Sequence, residues 1–208
     1  MTVLLYFSTD ARTALAVVQT CQETREGYVV TLNHTIFHPQ GGGQPSDTGC
    51  IGDALVTKVS AKNGEVQHCV NQPVPLGQAI LQVDAPLRLL HARLHSAGHL
   101  IGNAVGALGL VARRAHHWPG ESRVLVSYPN SAHALTTKSV QSLVDSFIEQ
   151  DLPRVARTRN GHRDVGFGDL QSFPCGGTHV ESTAVIGHCT VGAMSESTDG
   201  IWIRYAVD

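Results

Sequence analysis

The chain has no long hydrophobic run, no regular set of cysteines and no basic leader. Its 208 residues contain no stretch near the roughly 20 apolar residues that a membrane-spanning helix needs. The first ten residues carry no basic cluster and end at Asp10, unlike a signal peptide. Five irregularly spaced cysteines argue against a disulfide framework and for a reducing compartment. We therefore expect a cytoplasmic globular protein with no membrane partner and no obligate protein partner.

A charge excess is also missing. The formal net charge is −2 at pH 7, so the chain as a whole carries no electrostatic signal for nucleic-acid binding. Any contact with RNA would have to come from a local patch. Arg113 with Arg114, or the arginines between positions 154 and 163, could form one.

The pattern of apolar residues changes near Asp84. Residues 1–84 hold short, β-branched segments separated by turn residues, which predicts a small antiparallel β-barrel. After Asp84, a suitable N-cap, apolar residues at steps of three and four predict a helix over 86–108. A second amphipathic helix is predicted over 138–150. The sequence thus predicts an α+β protein with a barrel domain at 1–84 and an α+β domain at 85–208.

The strand predictions rest on β-branched composition and on the punctuation by Gly, Asn, Asp and Pro. The predicted strands are Thr2–Phe7, Ala14–Gln22, Tyr28–Leu32, Ala54–Ser60, Glu65–Val70, Gln78–Val83, Arg123–Tyr128, Val185–Met194 and Ile201–Val207.

Two dyads of potential metal ligands share one spacing. His95 and His99 are four residues apart within the predicted helix, and therefore on one face of it. Cys175 and His179 have the same spacing in a glycine-containing segment. Three imidazoles and one thiolate suit tetrahedral zinc. The metalloprotease motif H-E-x-x-H is excluded, because Ser96 stands where that motif has its glutamate.

A glycine-rich segment interrupts the first half. Gly41, Gly42 and Gly43 follow one another between Pro39 and Pro45. Three glycines leave the backbone little conformational bias, which is typical of a flexible hairpin loop. The flanking prolines stiffen both sides and favour a loop that brings backbone close to a ligand. The residues alone leave both interpretations open.

Three motifs together resemble the alanyl-tRNA editing family, which comprises free-standing AlaX proteins, here of the medium-length class, and the editing domain of alanyl-tRNA synthetase. They are T-x-F-x-P-x-GGGQPxDxG at 35–49, HxxxH at 95–99 and CGGTHV at 175–180. The resemblance implies zinc ligands, two catalytic residues that contact the substrate, and further substrate-binding residues. The implied zinc ligands are His95, His99, Cys175 and His179. The implied catalytic residues are Thr35 and Gln44, and the implied substrate-binding residues are Gly41, Gly42, Gly43 and Thr178.

The family resemblance implies hydrolysis of serine from mischarged Ser-tRNA(Ala), with Gly-tRNA(Ala) as a further candidate substrate. Zinc would be the cofactor and charged tRNA(Ala) the partner. No motif of an aminoacylation domain is present, so we expect trans-editing. Four protein ligands would close a tetrahedral shell. We therefore expect His95, His99 and Cys175 to be firm ligands, and His179 to be exchangeable or to lie outside the coordination shell. Ser96 replaces the family's usual threonine and keeps the hydroxyl.

Two other functions remain open at this point. The chain could edit another mischarged tRNA, such as Ser-tRNA(Thr), or it could be an RNA-binding module in which zinc serves only folding. Among the other polar residues, we expect Asp47 to brace its loop and His91 not to bind metal. His116 and His117 are expected to pack in a loop, with stacking on the terminal adenine as the alternative.

Overall fold

A computed structural model describes residues 1–127, 135–159 and 162–208. The chain divides into two compact units. The first unit is Met1–Gly41 with Pro45–Leu89, and the second unit is Gly42–Gln44 with Leu90–Asp208. Helix α1, Ala85–Ala107, begins in the first unit and continues in the second. In the described ranges, no helix is long and apolar enough to cross a membrane.

The first unit is built of short strands. They are β1 (Val3–Leu4), β2 (Thr13–Thr24), β3 (Gly27–Leu32), β4 (His34–Thr35), β5 (Gly49–Ile51), β6 (Ala54–Lys62), β7 (Glu65–Val70) and β8 (Gly77–Val83). A 3-10 helix at Leu5–Phe7 follows β1. Six of these strands form a closed barrel in the order β2-β3-β7-β6-β5-β8, and β1 pairs with β4 in parallel. Inward residues alternate with outward ones, as barrel closure requires. Val30, Leu32, Val59 and Leu81 are fully buried in its core.

A buried ion pair in the first unit holds the residues that follow the glycine-rich segment. The Arg88 guanidinium, in the first turns of α1, pairs with the Asp47 carboxylate, and both side chains are at most 2% exposed. Arg88 also donates to the carbonyl of Ile36 at 2.7 Å, and Asp47 accepts from the amide of His38. The predicted bracing role of Asp47 is confirmed by these contacts.

Breaking this pair should destabilise the fold strongly. Arg88→Met leaves the Asp47 carboxylate buried without its cation, and we expect a loss of about 3–5 kcal/mol in the free energy of unfolding. Urea unfolding would measure it. Arg25→Met, at an exposed arginine between β2 and β3, is the matched control and should change stability by less than about 0.5 kcal/mol. Equal effects of the two substitutions would mean that the buried pair contributes nothing beyond an exposed arginine.

The second unit combines two sheets with helices. Its strands are β9 (Ala112–His116), β10 (Arg123–Val126), β11 (Arg154–Arg159), β12 (His162–Phe167), β13 (Phe173–Pro174), β14 (Cys189–Ser197) and β15 (Gly200–Val207). They form a four-stranded sheet, β14-β15-β10-β9, and a three-stranded sheet, β11-β12-β13. Helix α2 spans Thr137–Glu149 and starts with a capping box between Thr136 and Ser139. One core contains buried residues of both helices, among them Leu100, Ile101 and Val144.

The α+β class and both predicted helices are confirmed, with boundaries within one residue. Asp84 caps α1 as predicted, since its Oδ1 accepts from the amide of Leu87 at 3.0 Å. Two strand predictions were wrong in part. The N-terminal segment turns into a 3-10 helix at Leu5–Phe7, and residues Thr183–Ile186 form another before β14. In the prediction for Arg123–Tyr128, Tyr128 lies outside the described residues.

Candidate metal centre and adjoining cavity

Both dyads converge in the second unit. Helix α1 carries His95 and His99 one turn apart, and the loop after β13 carries Cys175 and His179. One possible ligand atom from each of the four residues lies within 4.8 Å of the others, and all four side chains are buried. Cys175 Sγ is 3.3 Å from His95 Nε2 and 3.1 Å from His179 Nε2. This cluster could therefore bind a metal ion.

The outer nitrogens of two imidazoles are held by polar side chains. His95 Nδ1 lies 2.7 Å from Gln44 Oε1, and His179 Nδ1 lies 3.2 Å from Ser96 Oγ. Gln44 Oε1 also accepts from the backbone amide of Thr178, which identifies it as the carbonyl oxygen. His95 must then carry its proton on Nδ1, so that Nε2 offers a lone pair beside the Cys175 thiol. This is the arrangement by which outer partners orient metal-binding histidines.

Gln44 is the centre of a small buried network. Its amide nitrogen donates to Thr178 Oγ1 at 2.9 Å, in addition to the two bonds made by Oε1. The side chain is fully buried. Gln44 therefore ties the end of the glycine-rich segment to α1 and to the loop of the second dyad. The contact of Gln44 with the Thr178 loop and His95 lies entirely within the second unit.

The backbone around the second dyad is closely packed. A Cβ on Gly177 would lie 2.2 Å from the His95 ring and 2.8 Å from Gln44 Oε1, so only glycine fits there. Arg163, on β12, donates to the carbonyls of Cys175 and Gly177 at 2.9 and 3.0 Å. Arg154, on β11, donates to the carbonyl of His179 at 2.7 Å. These two arginines, which the sequence offered as part of an RNA-binding patch, thus brace the loop of the second dyad.

Burial governs the protonation of the cluster. It lowers the pKa of His99 to about 4 and that of His179 well below its ordinary value, which keeps both imidazoles neutral. Burial also raises the pKa of the Cys175 thiol, while the Gly177 amide and the Arg163 guanidinium act in the opposite direction. Neutral imidazoles and a thiol facing one another form a donor set that suits zinc, because zinc accepts nitrogen and sulfur ligands together.

A cavity of about 410 Å³ opens onto one side of the cluster. Its wall includes three of the four donors, His95, His99 and Cys175. His179 is not among the lining residues of the described chain. The remaining wall comes from α1, β9, β10, β13 and the glycine-rich segment, and consists of Gly42, Gly98, Gly102, Ala112, Arg113, Arg114, Ala115, His117, Val124, Phe173, Pro174 and Gly176. A ligand would thus reach the donors from one face.

His117 is buried in a loop, in agreement with the packing role predicted for it, and it also lines this cavity. Its ring stacks on that of His95 at 4.1 Å between centroids. Its Nδ1 contacts the hydroxyl of Tyr205, which in turn donates to the carbonyl of Leu94. The Tyr205 hydroxyl has one proton and donates it to the carbonyl of Leu94. The contact with His117 is therefore a hydrogen bond only if His117 Nδ1 carries a proton and donates it to the Tyr205 oxygen. His117 Nε2 is then an acceptor. No spacing in the sequence relates His117 to either dyad, and so no motif could have revealed it.

The glycine-rich segment is divided between the two units. Gly41 belongs to the first unit, whereas Gly42 and Gly43 belong to the second. Gly42 lines the cavity. Gly43 has a φ of +77°, and a Cβ there would lie 2.5 Å from the carbonyl oxygen of Ala115, so the segment approaches β9 more closely than any side chain allows.

Thr35 lies in the first unit, fully buried. Its hydroxyl is 2.9 Å from His68 Nε2 and accepts from the amide of Phe37 at 3.0 Å. His68 Nδ1 contacts the carbonyl of Val30, which places the ring proton on Nδ1 and makes Thr35 the donor to Nε2. Its predicted contact with substrate stays a prediction, as does the exchange of His179. In the described chain, the cluster of possible ligands does not include His91.

Comparison with known proteins gives a consistent set of relatives. No family model matches the chain. The chain is 30% identical to the alanine–tRNA ligase of Halorubrum lacusprofundi over 95% of its own length, but it spans only 24% of that ligase. It is 28% identical to the alanyl-tRNA editing protein AlaX-M of Pyrococcus horikoshii, with 76% of the chain aligned to 77% of that protein.

A second editing protein of that organism, AlaX-L, is 26% identical over 83% of the chain and 49% of its own length. The chain therefore spans about a quarter of the ligases and larger shares of the editing proteins. The resemblance carried by the motifs is confirmed, and the chain is homologous to the alanyl-tRNA editing proteins AlaX and to alanine–tRNA ligases.

Proposed function

We propose that this chain is a trans-editing, zinc-dependent deacylase that hydrolyses the ester between serine and the 3′ end of mischarged tRNA(Ala). The observation that carries the proposal is the buried cluster of one thiol and three imidazoles with a cavity on one face. The names of the relatives support the substrate, since two are alanyl-tRNA editing proteins. Residues 85–208 would form the editing domain and residues 1–84 an accessory barrel domain.

The residues that would hold zinc are His95, His99, Cys175 and His179. When bound, zinc supplies a Lewis acid for ester hydrolysis. The protein's own residues orient the donors: Gln44 keeps the proton of His95 on Nδ1 and Ser96 contacts Nδ1 of His179. The described lining of the cavity contains no carboxylate, and His117 is the lining imidazole outside the donor set. We therefore assign to His117 the hydrogen bond that positions the attacking water or the amino group of the ester.

One comparison tests the proposal directly. Deacylation of Ser-, Gly- and Ala-tRNA(Ala) should be measured side by side, with and without a chelator. We expect rapid loss of serine, little loss of alanine, and no activity after chelation. The measurement with Gly-tRNA(Ala) decides whether the protein also removes glycine. Turnover of Ser-tRNA(Ala) that survives complete removal of metal would contradict zinc dependence.

Further measurements in the same assay distinguish the proposed function from the other candidate functions. If Ser-tRNA(Thr) is hydrolysed faster than Ser-tRNA(Ala), the chain edits a different tRNA. If the metal-loaded protein binds RNA but hydrolyses none of these esters, and chelation unfolds it, zinc is structural. The one-sided cavity beside three donors favours catalysis over a purely structural site.

We propose that Thr35 recognises the seryl hydroxyl, and Thr35→Val tests this. The substitution keeps the shape of the side chain but removes its hydroxyl. We expect kcat/KM for Ser-tRNA(Ala) to fall by a factor that corresponds to a loss of roughly 1–3 kcal/mol in transition-state stabilisation, because the seryl hydroxyl would lose its hydrogen-bond partner. Activity on Gly-tRNA(Ala), where present, should barely change, since glycine has no hydroxyl. Metal content should remain that of the wild type.

Thr35→Ser is the matched control, because it retains the hydroxyl that contacts His68 and Phe37. Thermal unfolding of both variants measures the cost of losing these two internal bonds. Equal loss of activity on the serine and glycine substrates would show that Thr35 supports the fold or the shared ester, and recognition would then have to be assigned elsewhere.

A further inference from the structure

A second cavity adjoins the one at the metal centre. Its volume is about 730 Å³, and its lining belongs to the second unit: Gly109, Val111, Arg113, Arg114, Leu125, Ser127, Thr198 and Asp199. Arg113 and Arg114 line both cavities. Two neighbouring arginines therefore stand at the junction between the metal-site cavity and a polar space beyond it.

The strand that carries these arginines is accessible. In the described chain, β9 lies at the edge of its sheet and pairs with β10 alone. Arg113 and Arg114 are both exposed. In a chain with a net charge of −2, two adjacent exposed arginines beside a cavity form a local concentration of positive charge.

Arg114 already binds an anionic group. Its guanidinium forms an ion pair with the carboxylate of Asp199, in the turn between β14 and β15. The two side chains are 61% and 59% exposed, so this pair is strongly solvated and costs little to break. A phosphodiester offers the guanidinium oxygens of similar geometry and charge. A phosphate could therefore replace the Asp199 carboxylate.

We propose that Arg113 and Arg114 bind a backbone phosphate of the single-stranded RNA 3′ end, with the second cavity holding the nucleotides that precede the terminal one. The inference rests on the proposed function, because an ester at the end of an RNA strand requires the strand to leave the metal-site cavity. The RNA strand would leave the metal-site cavity through its junction with the second cavity. Asp199 competes with the phosphate for Arg114 and thereby weakens binding of RNA.

Binding of an uncharged RNA hairpin with a single-stranded CCA end tests the surface without any chemistry. Fluorescence anisotropy should show binding about three- to tenfold weaker for Arg114→Gln, and a slope of log K against log salt that is smaller by about 0.7. Asp199→Asn should tighten binding. Arg204→Gln, at an exposed position on β15 outside both cavities, is the control for loss of one positive charge. Equal weakening by Arg114→Gln and Arg204→Gln would overturn the proposal.

A comparison of two substrates separates this proposal from the proposed function. Arg113→Gln and Arg114→Gln should raise KM for Ser-tRNA(Ala) with little change in kcat. Hydrolysis of 3′-seryladenosine, which has no phosphate, should be reduced much less than hydrolysis of Ser-tRNA(Ala). A parallel loss on both substrates would mean that the arginines act inside the metal-site cavity. If the wild type hydrolyses neither substrate, the proposed function fails, while the hairpin measurement still decides whether the arginines bind RNA.

Discussion

Purified protein should contain about one zinc ion per chain, and the double variant Cys175→Ala, His99→Ala should contain none. The two substitutions remove one possible metal ligand from each dyad, so His95 and His179 each lose the ligand four residues away. Deacylation should fall by about a thousandfold or more, since a catalytic metal contributes several kcal/mol and each 1.36 kcal/mol is a factor of ten in rate. Elemental analysis and the Ser-tRNA(Ala) assay measure the two effects.

Cys69→Ala with His188→Ala is the matched control, because it removes the same two residue types outside the cluster. This control should keep both metal and activity. Unchanged metal content in the Cys175, His99 variant would refute the assignment of the centre. Single alanine variants of the four donors then show which ligand is exchangeable: the one whose loss leaves the stoichiometry near one.

Gln44→Leu should give the second largest effect. Leucine fills similar space but removes the acceptor for His95 Nδ1 and for the amide of Thr178. We expect metal affinity to fall roughly 10- to 100-fold, which is typical when an outer partner of a metal ligand is lost. Competition with a chelator of known affinity measures the change.

Gln44→Glu provides the conservative comparison. A carboxylate can still accept from His95 and from Thr178, and the Thr178 hydroxyl can donate to it. Metal affinity should therefore be largely retained in Gln44→Glu and lost in Gln44→Leu. If both variants bind metal as the wild type does, Gln44 does not orient His95, and its role must lie in contact with the substrate.

The sequence predicted what local patterns determine. Apolar steps of three and four residues and the cap at Asp84 located α1, and equal spacing within the two dyads identified the four residues that cluster as possible metal ligands. The strands that are rich in charged and polar residues were not predicted. β11 and β12 contain several charged residues rather than a clear apolar alternation, because the pair is partly exposed and Arg154 and Arg163 donate to loop carbonyls.

The residues around the donors were beyond prediction from local pattern. His117 reaches its place through Tyr205, 88 positions later in the chain. Gln44 came from the family resemblance, which could not tell that it contacts His95 and Thr178. Such contacts depend on tertiary packing, and no periodicity or spacing encodes them.

The order in which the chain is synthesised limits when the centre can form. Gln44 and His95 are 51 positions apart, and Cys175 follows His95 by another 80. A nascent chain has only the helical dyad until Cys175 and His179 leave the ribosome. A zinc ion in the proposed centre would be bound by all four residues only from that point, and its binding would close long loops and stabilise the folded state by mass action. With the proposed zinc centre, we therefore expect zinc supply during late synthesis to control how much of the chain reaches its native state.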